Sequence, residues 1–153
     1  MQTPAECLPV VSFRALERAQ RSIEDFCRSY FMFVDLDTNK DVWKHFAVLT
    51  FVESSIYQMD EENEDLCSEG KDSFQIRLHG METLQAVLRA RGLLDDRLQA
   101  ALDEGLEFWR LERRICAQLL AGAPVDMKQC WRASELKSFD YRVLCLLLHK
   151  LER

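Results

Sequence analysis

The sequence predicts an all-α fold, an antiparallel bundle of four to six helices. Three observations carry this. Helix breakers are scarce, with five Gly and three Pro in 153 residues. Apolar residues recur at three- and four-residue steps, and no segment sustains the two-residue alternation of a half-buried strand. Gly, Pro and Asp/Ser capping signals fall only between the periodic segments.

The first helix starts at Ser12, a good N-cap. Phe13, Leu16, Ala19, Ile23, Phe26, Cys27, Tyr30, Phe33 and Val34 mark its apolar face, and Arg14, Glu17, Arg18, Arg21, Glu24, Asp25 and Arg28 its solvent face. From Tyr30 to Val34 the chain is apolar on every side, which calls for cover from other elements or from a partner. Asp35 to Asp41 is a polar connection. Thr38 or Asn39 is expected to cap the second helix, with Asp41 favourable to its N-terminal dipole. Val42, Phe46, Leu49, Val52, Ile56 and Met59 form that helix's stripe, which runs into the acidic stretch 60–65. A loop over Ser68 to Ser73 around Gly70 follows. A third helix is expected from about Phe74 to Arg91, stopped by Gly92.

Asp95 or Asp96 caps a fourth helix with the stripe Leu98, Leu102, Leu106, Trp109, Cys116 and Leu119 or Leu120; Gly122 and Pro124 end it. A short helix around Met127 to Arg132 precedes a last one from Phe139, with Ser138 as its expected cap. The last helix is dense in Leu from Tyr141 to Leu151. It reads as a central helix, or as the point where residues 1–153, a single helical domain, join a larger helical fold as its N-terminal part.

Composition limits the function. Hydrophobic residues make up 48% and charged residues 30%, the balance of a globular domain with a real core. A net charge of −6 and the lack of a Lys/Arg run argue against nucleic acid. Arg110, Arg113 and Arg114 are interleaved with Glu107 and Glu112 and read as an ion-paired helix face. No apolar run approaches the roughly 20 residues of a membrane span. The stretch from Met1 to Val11 has no secretory pattern, so an intracellular, by default cytoplasmic, location is expected. None of the six cysteines forms a C-x-x-C pair, and Cys27, Cys116 and Cys145 fall on apolar stripes as small hydrophobes.

Few residues suggest chemistry. Asp35, Asp37, Asn39 and Asp41 have the spacing of a calcium loop, but Lys40 stands where a Gly is needed and Phe46 where a Glu is needed, so a capping turn is expected. Cys145 and His149 share a face but make only half a metal site. No nucleophile has an evident base. The acidic stretch is different. Asp60, Glu61 and Glu64 form D-E-x-x-E, with Glu53 and Tyr57 preceding on the same ladder, and bare carboxylates at that spacing repel one another near a helix end whose dipole also opposes them. A cation would relieve both.

The D-E-x-x-E motif resembles the D-D-x-x-[DE] motif of class I isoprenoid (terpenoid and prenyl-diphosphate) synthases, which are all-α enzymes. That resemblance implies Asp60, Glu61 and Glu64 as metal residues holding Mg²⁺ against an isoprenoid diphosphate. It would make this chain the N-terminal half of such a protein, since the family's second metal motif is absent. The residues themselves point first to a protein-interaction or self-association module, with a protein partner or a second copy held at Tyr30 to Val34 and Tyr141 to Leu151. Trp43, off its stripe and beside Lys44, suits such a surface.

Overall fold

The computed structural model describes residues 10–72, 78 and 80–153. Its elements run in the order α1 (Phe13–Tyr30), a 3₁₀ turn (Phe31–Val34), α2 (Asp41–Ser68), α3 (Met81–Ala90), α4 (Asp96–Leu120), α5 (Met127–Leu136) and α6 (Phe139–Leu151). The described residues contain no strand, and the fold is the all-α bundle that the periodicity predicts. None of the described helices is long and apolar enough to cross a membrane. The expected start of the third helix at Phe74, and Cys7 and His79, lie outside the described residues.

Local chemistry sets most boundaries. Ser12 Oγ accepts the Ala15 amide at 2.9 Å and caps α1. Helix α1 stops four residues earlier than expected, because the chain tightens into the 3₁₀ turn and Asp35 adopts a left-handed φ of 57°. Leu36 N–H then donates to the Phe31 carbonyl at 3.0 Å, which satisfies the helix end. Neither Thr38 nor Asn39 caps α2: Lys40 is its N-cap, without a side-chain cap bond, and Asp37 Oδ1 instead accepts the amides of Asn39 (2.7 Å) and Lys40 (3.2 Å) in the turn before the helix. Asp41 Oδ2 closes the turn by accepting the Asp37 amide at 2.6 Å. Four residues that could have formed a calcium loop are therefore folded into a capping turn. Asp95 caps α4 through the Leu98 amide at 2.9 Å and Asp126 caps α5 through the Lys128 amide at 2.9 Å. Ser138 precedes α6 as expected, but with φ 63° and no side-chain cap bond.

Helix α2, 28 residues long, is the spine of the bundle and packs against α1, α3, α4 and α6. Helix α4 in turn packs against α5 and α6. The core centres on Phe26, Phe31, Leu49, Met59, Leu98, Leu102, Trp109, Leu144 and Leu147, all essentially inaccessible. Trp109 meets the ring of Phe139 edge-on at 5.2 Å between centroids. Gly105, one turn before Trp109 on α4, makes this fit possible, since a Cβ there would run into the Phe139 ring.

Two expectations about apolar surface resolve differently. The Leu-rich last helix is no partner face: Val143, Leu144, Leu147 and Leu148 are buried between α2 and α4. The segment after Tyr30 divides. Phe31 is buried, whereas Met32 and Phe33 stay 68% and 77% exposed. The stripes are also rotated from their expected positions. Ala15 takes the inward place in α1 while Phe13 and Leu16 face out, and the α4 stripe leaves the core after Arg113, so Leu119 and Leu120 are exposed.

Candidate functional site

The acidic stretch lies along α2 where α1 crosses it, and an arginine from α1 sits among its carboxylates. Arg18 Nη2 donates to Asp60 Oδ2 at 2.6 Å and to Glu64 Oε1 at 3.4 Å, and Arg18 Nη1 lies 3.9 Å from Glu61 Oε1. The guanidinium also stacks over the Tyr57 ring, 4.4 Å from its centroid. Trp109 Nε1 donates to the other Asp60 oxygen at 2.9 Å. Ser12 Oγ donates to Glu61 Oε2 at 2.8 Å, and Arg14 adds an ion pair to Glu61 at 3.7 Å. The repulsion along the ladder is thus relieved by α1. Burial, followed by the neighbouring Asp60 charge, still lifts the Glu64 carboxyl above its ordinary range against the pull of Arg18.

This arrangement does not suit Mg²⁺ held against a diphosphate. Both oxygens of Asp60 are committed to protein donors, and the cation already present is a fixed guanidinium. Among the described residues no group of three or more His, Cys, Asp or Glu is placed to hold a metal ion. The three residues do share one neighbourhood, as the i, i+4 spacing requires, but it is built as an ion-paired seam between helices.

Next to the seam is a cleft of about 290 Å³ bordered by Tyr57, Asp60, Trp109, Lys137, Phe139 and Asp140. Asp140 belongs to the first turn of α6, which the left-handed Ser138 turns into position. Glu53 of α2 is fully buried and is set against Asp140 and Ser22. Neither of its oxygens completes a hydrogen bond among the described residues. Ser22 Oγ is engaged by Tyr57 Oη at 2.5 Å. Burial first, and then the Asp140 and Asp60 charges, push the Glu53 carboxyl well above the carboxylate range. The raised pKa favours the neutral, protonated form of Glu53 in the folded chain.

A second buried polar group lies nearly three turns further along α2. Asn63, inaccessible to solvent, accepts from Arg113 Nη1 at 2.5 Å and donates to the Trp109 carbonyl at 3.3 Å and to Glu112 Oε1 at 2.9 Å. Arg113 is 5% exposed, which corrects its assignment to a solvated, ion-paired face; burial pulls its pKa down. The signal was present in the sequence: Arg113 follows Trp109 by four residues and therefore occupies the α4 stripe. Cys67 closes this group, its Sγ 3.7 Å from Glu112 Oε1. The pair Cys145 and His149 separates: Cys145 is half-buried against Tyr30, while exposed His149 meets Tyr30 Oη at 2.9 Å.

At the opposite end of α2, large apolar side chains stand exposed. Trp43 is 72% exposed, and its ring lies 5.5 Å from that of Phe46. Together with Met32 and Phe33 they flank the α1–α2 connection. Compared with known proteins, the chain matches no family model, no curated protein and no solved structure.

Proposed function

We propose that this chain is a protein-interaction module that pairs with a second copy of itself through the α1–α2 end of the bundle. The observation that carries the reading is the exposure of Met32, Phe33 and Trp43, each more than two-thirds open to solvent although large and apolar. With Phe46 they present roughly 500 Å² of side-chain surface, scaling typical aromatic areas by the observed exposures, against the roughly 800 Å² per partner of a standard interface. Trp and Phe are also the residues that dominate binding energy at interface centres.

The charges around them favour a like copy as occupant. Exposed Asp35 and Asp37 stand beside exposed Lys40 on the same connection, while Lys44, in α2, is paired with Glu152 at 2.9 Å. A two-fold interface needs one patch to complement itself, and a patch carrying both signs does so. The net charge of −6 opposes association only over distances that physiological salt screens to about 8 Å.

Sedimentation velocity across a concentration series tests the reading. A monomer–dimer equilibrium is expected, with Phe33→Ala and Trp43→Ala each weakening it while leaving helicity unchanged. A strict monomer at every concentration overturns it, as does a dimer indifferent to both substitutions. Mg²⁺ with pyrophosphate is expected to leave the melting temperature unmoved. A rise abolished by Asp60→Asn would instead support the isoprenoid-synthase-like reading, with Asp60, Glu61 and Glu64 as metal residues.

A further inference from the structure

Cys67, in the last turn of α2, contacts Glu112 of α4 through its thiol, and Cys116 follows Glu112 by one helical turn on the same helix, which brings the two cysteines together across the α2–α4 interface. Both are free, as are the other described cysteines. Their surroundings differ in a way that matters chemically. Cys67 is buried. Cys116 is half-exposed and opens onto a groove of about 350 Å³ between α4 and α5, bordered also by Phe108, Glu112, Ile115 and Lys137. A small oxidant can therefore reach one sulfur and not the other. Glu112 lines the same groove and accepts the Cys67 thiol proton at 3.7 Å.

We propose that Cys67 and Cys116 are a peroxide-oxidisable dithiol that closes to an intramolecular disulfide, with Cys116 as the attacked sulfur, Cys67 as the resolving one and Glu112 as the proton acceptor. In the first step Cys116 sulfur, as thiolate, attacks one oxygen of a hydroperoxide. The O–O bond breaks, Cys116 becomes a sulfenic acid, and the other oxygen leaves and is protonated, as water when the oxidant is hydrogen peroxide. In the second step Cys67 sulfur attacks Cys116 sulfur and its proton passes to Glu112 Oε1. The S–S bond forms, the S–O bond breaks, and the departing hydroxide takes up that proton to leave as water. Two thiols lose two electrons, which reduce one peroxide to two waters. Burial, with Cys116 and Glu112 alongside, raises the Cys67 thiol far above the ordinary range, so its proton leaves only as the S–S bond forms, and Glu112 Oε1, 3.7 Å away, is the acceptor in contact. The product links the end of α2 to the second half of α4 and adds a covalent closure to their packing.

The test treats the reduced full-length chain with hydrogen peroxide and maps cross-linked peptides by mass spectrometry. A Cys67–Cys116 link is expected, formed within single chains, reversed by dithiothreitol, accompanied by a higher melting temperature, and abolished by Cys116→Ser but not by Cys130→Ser. Glu112→Gln is expected to slow closure on the order of a hundredfold, the low end of general-base assistance, and to let dimedone trap the Cys116 sulfenic acid. Cross-links that pair other cysteines overturn the proposal. So does conversion of Cys116 to sulfinic acid while Cys67 stays a free thiol. Closure at an unchanged rate in Glu112→Gln removes Glu112 from its role.

Discussion

Replacing Glu53 by Gln is expected to stabilise the protein, and by more at higher pH. Glu53 is inaccessible, its oxygens lack hydrogen bonds among the described residues, and its company is Asp140 from α6, Ser22 from α1, and Tyr57 and Asp60 from its own helix. Burial and the adjacent carboxylates raise its folded pKa well above the unfolded value. A raised pKa means that the native chain keeps a proton the unfolded chain has released. The stabilising contribution is complete below the unfolded pKa and is lost as pH climbs toward and through the folded pKa. Within that window the loss is up to about 1.4 kcal/mol per pH unit. Gln is close in shape to the neutral acid and can donate its amide to Asp140, yet it does not titrate. Urea unfolding of wild type and Glu53→Gln at pH 5, 6, 7 and 8 measures the difference directly. The wild-type midpoint should fall behind the variant's by up to roughly 0.5–1.4 M per pH unit, given slopes of 1–3 kcal/mol per molar urea. Asp95, Glu107 and Glu152, whose pKa values are lowered by capping or ion pairs, are common to both proteins and cancel. Parallel midpoints across the series would refute the picture of a Glu53 carboxyl that keeps its proton in the core.

Two further substitutions probe the packing around this centre. Gly105→Ala should destabilise by roughly 1–3 kcal/mol, because the Phe139 ring must leave its seat and outweighs the gain of about 1 kcal/mol in helix propensity; a higher melting temperature would contradict this. Asn63→Leu strips buried Arg113 of its acceptor and should cost roughly 3 kcal/mol, and adding Arg113→Met should recover part of the loss, a coupling that a double-mutant cycle in urea reads out.

Much of the fold was legible because a helix writes its buried face into the sequence every three or four residues, and because Ser12, Asp95, Asp126 and Gly122 use standard cap chemistry. The missed features share one cause. Whether Glu53 or Asn63 faces water depends on what a different helix brings across, and that is not a property of local spacing; Arg113 alone was placed by its spacing from Trp109. Arg18 shows this most clearly. On α1 alone it belongs to the polar face, and only the crossing of α1 over α2 turns it into the counter-ion of Asp60 and Glu64. The same dependence misread the ends. Tyr141 to Leu151 looked like surplus apolar surface until α2 and α4 enclosed it, whereas Met32 and Phe33 found no such cover among the described residues.

The spine role of α2 bears on how the chain reaches its native state. Helices α1 and α2 are neighbours in sequence and have the most extensive helix–helix contact, so a hairpin of the two can form early from local contacts alone. Helices α4, α5 and α6 make a second local group, and both groups pack against α2 to complete their burial. Neither half can then persist long without the other, and folding should proceed through docking of two partly formed halves onto one helix. Substitutions at Met59 or Val52, buried on α2, would slow the docking step, whereas those at Leu136, at the end of α5, would mainly hasten unfolding.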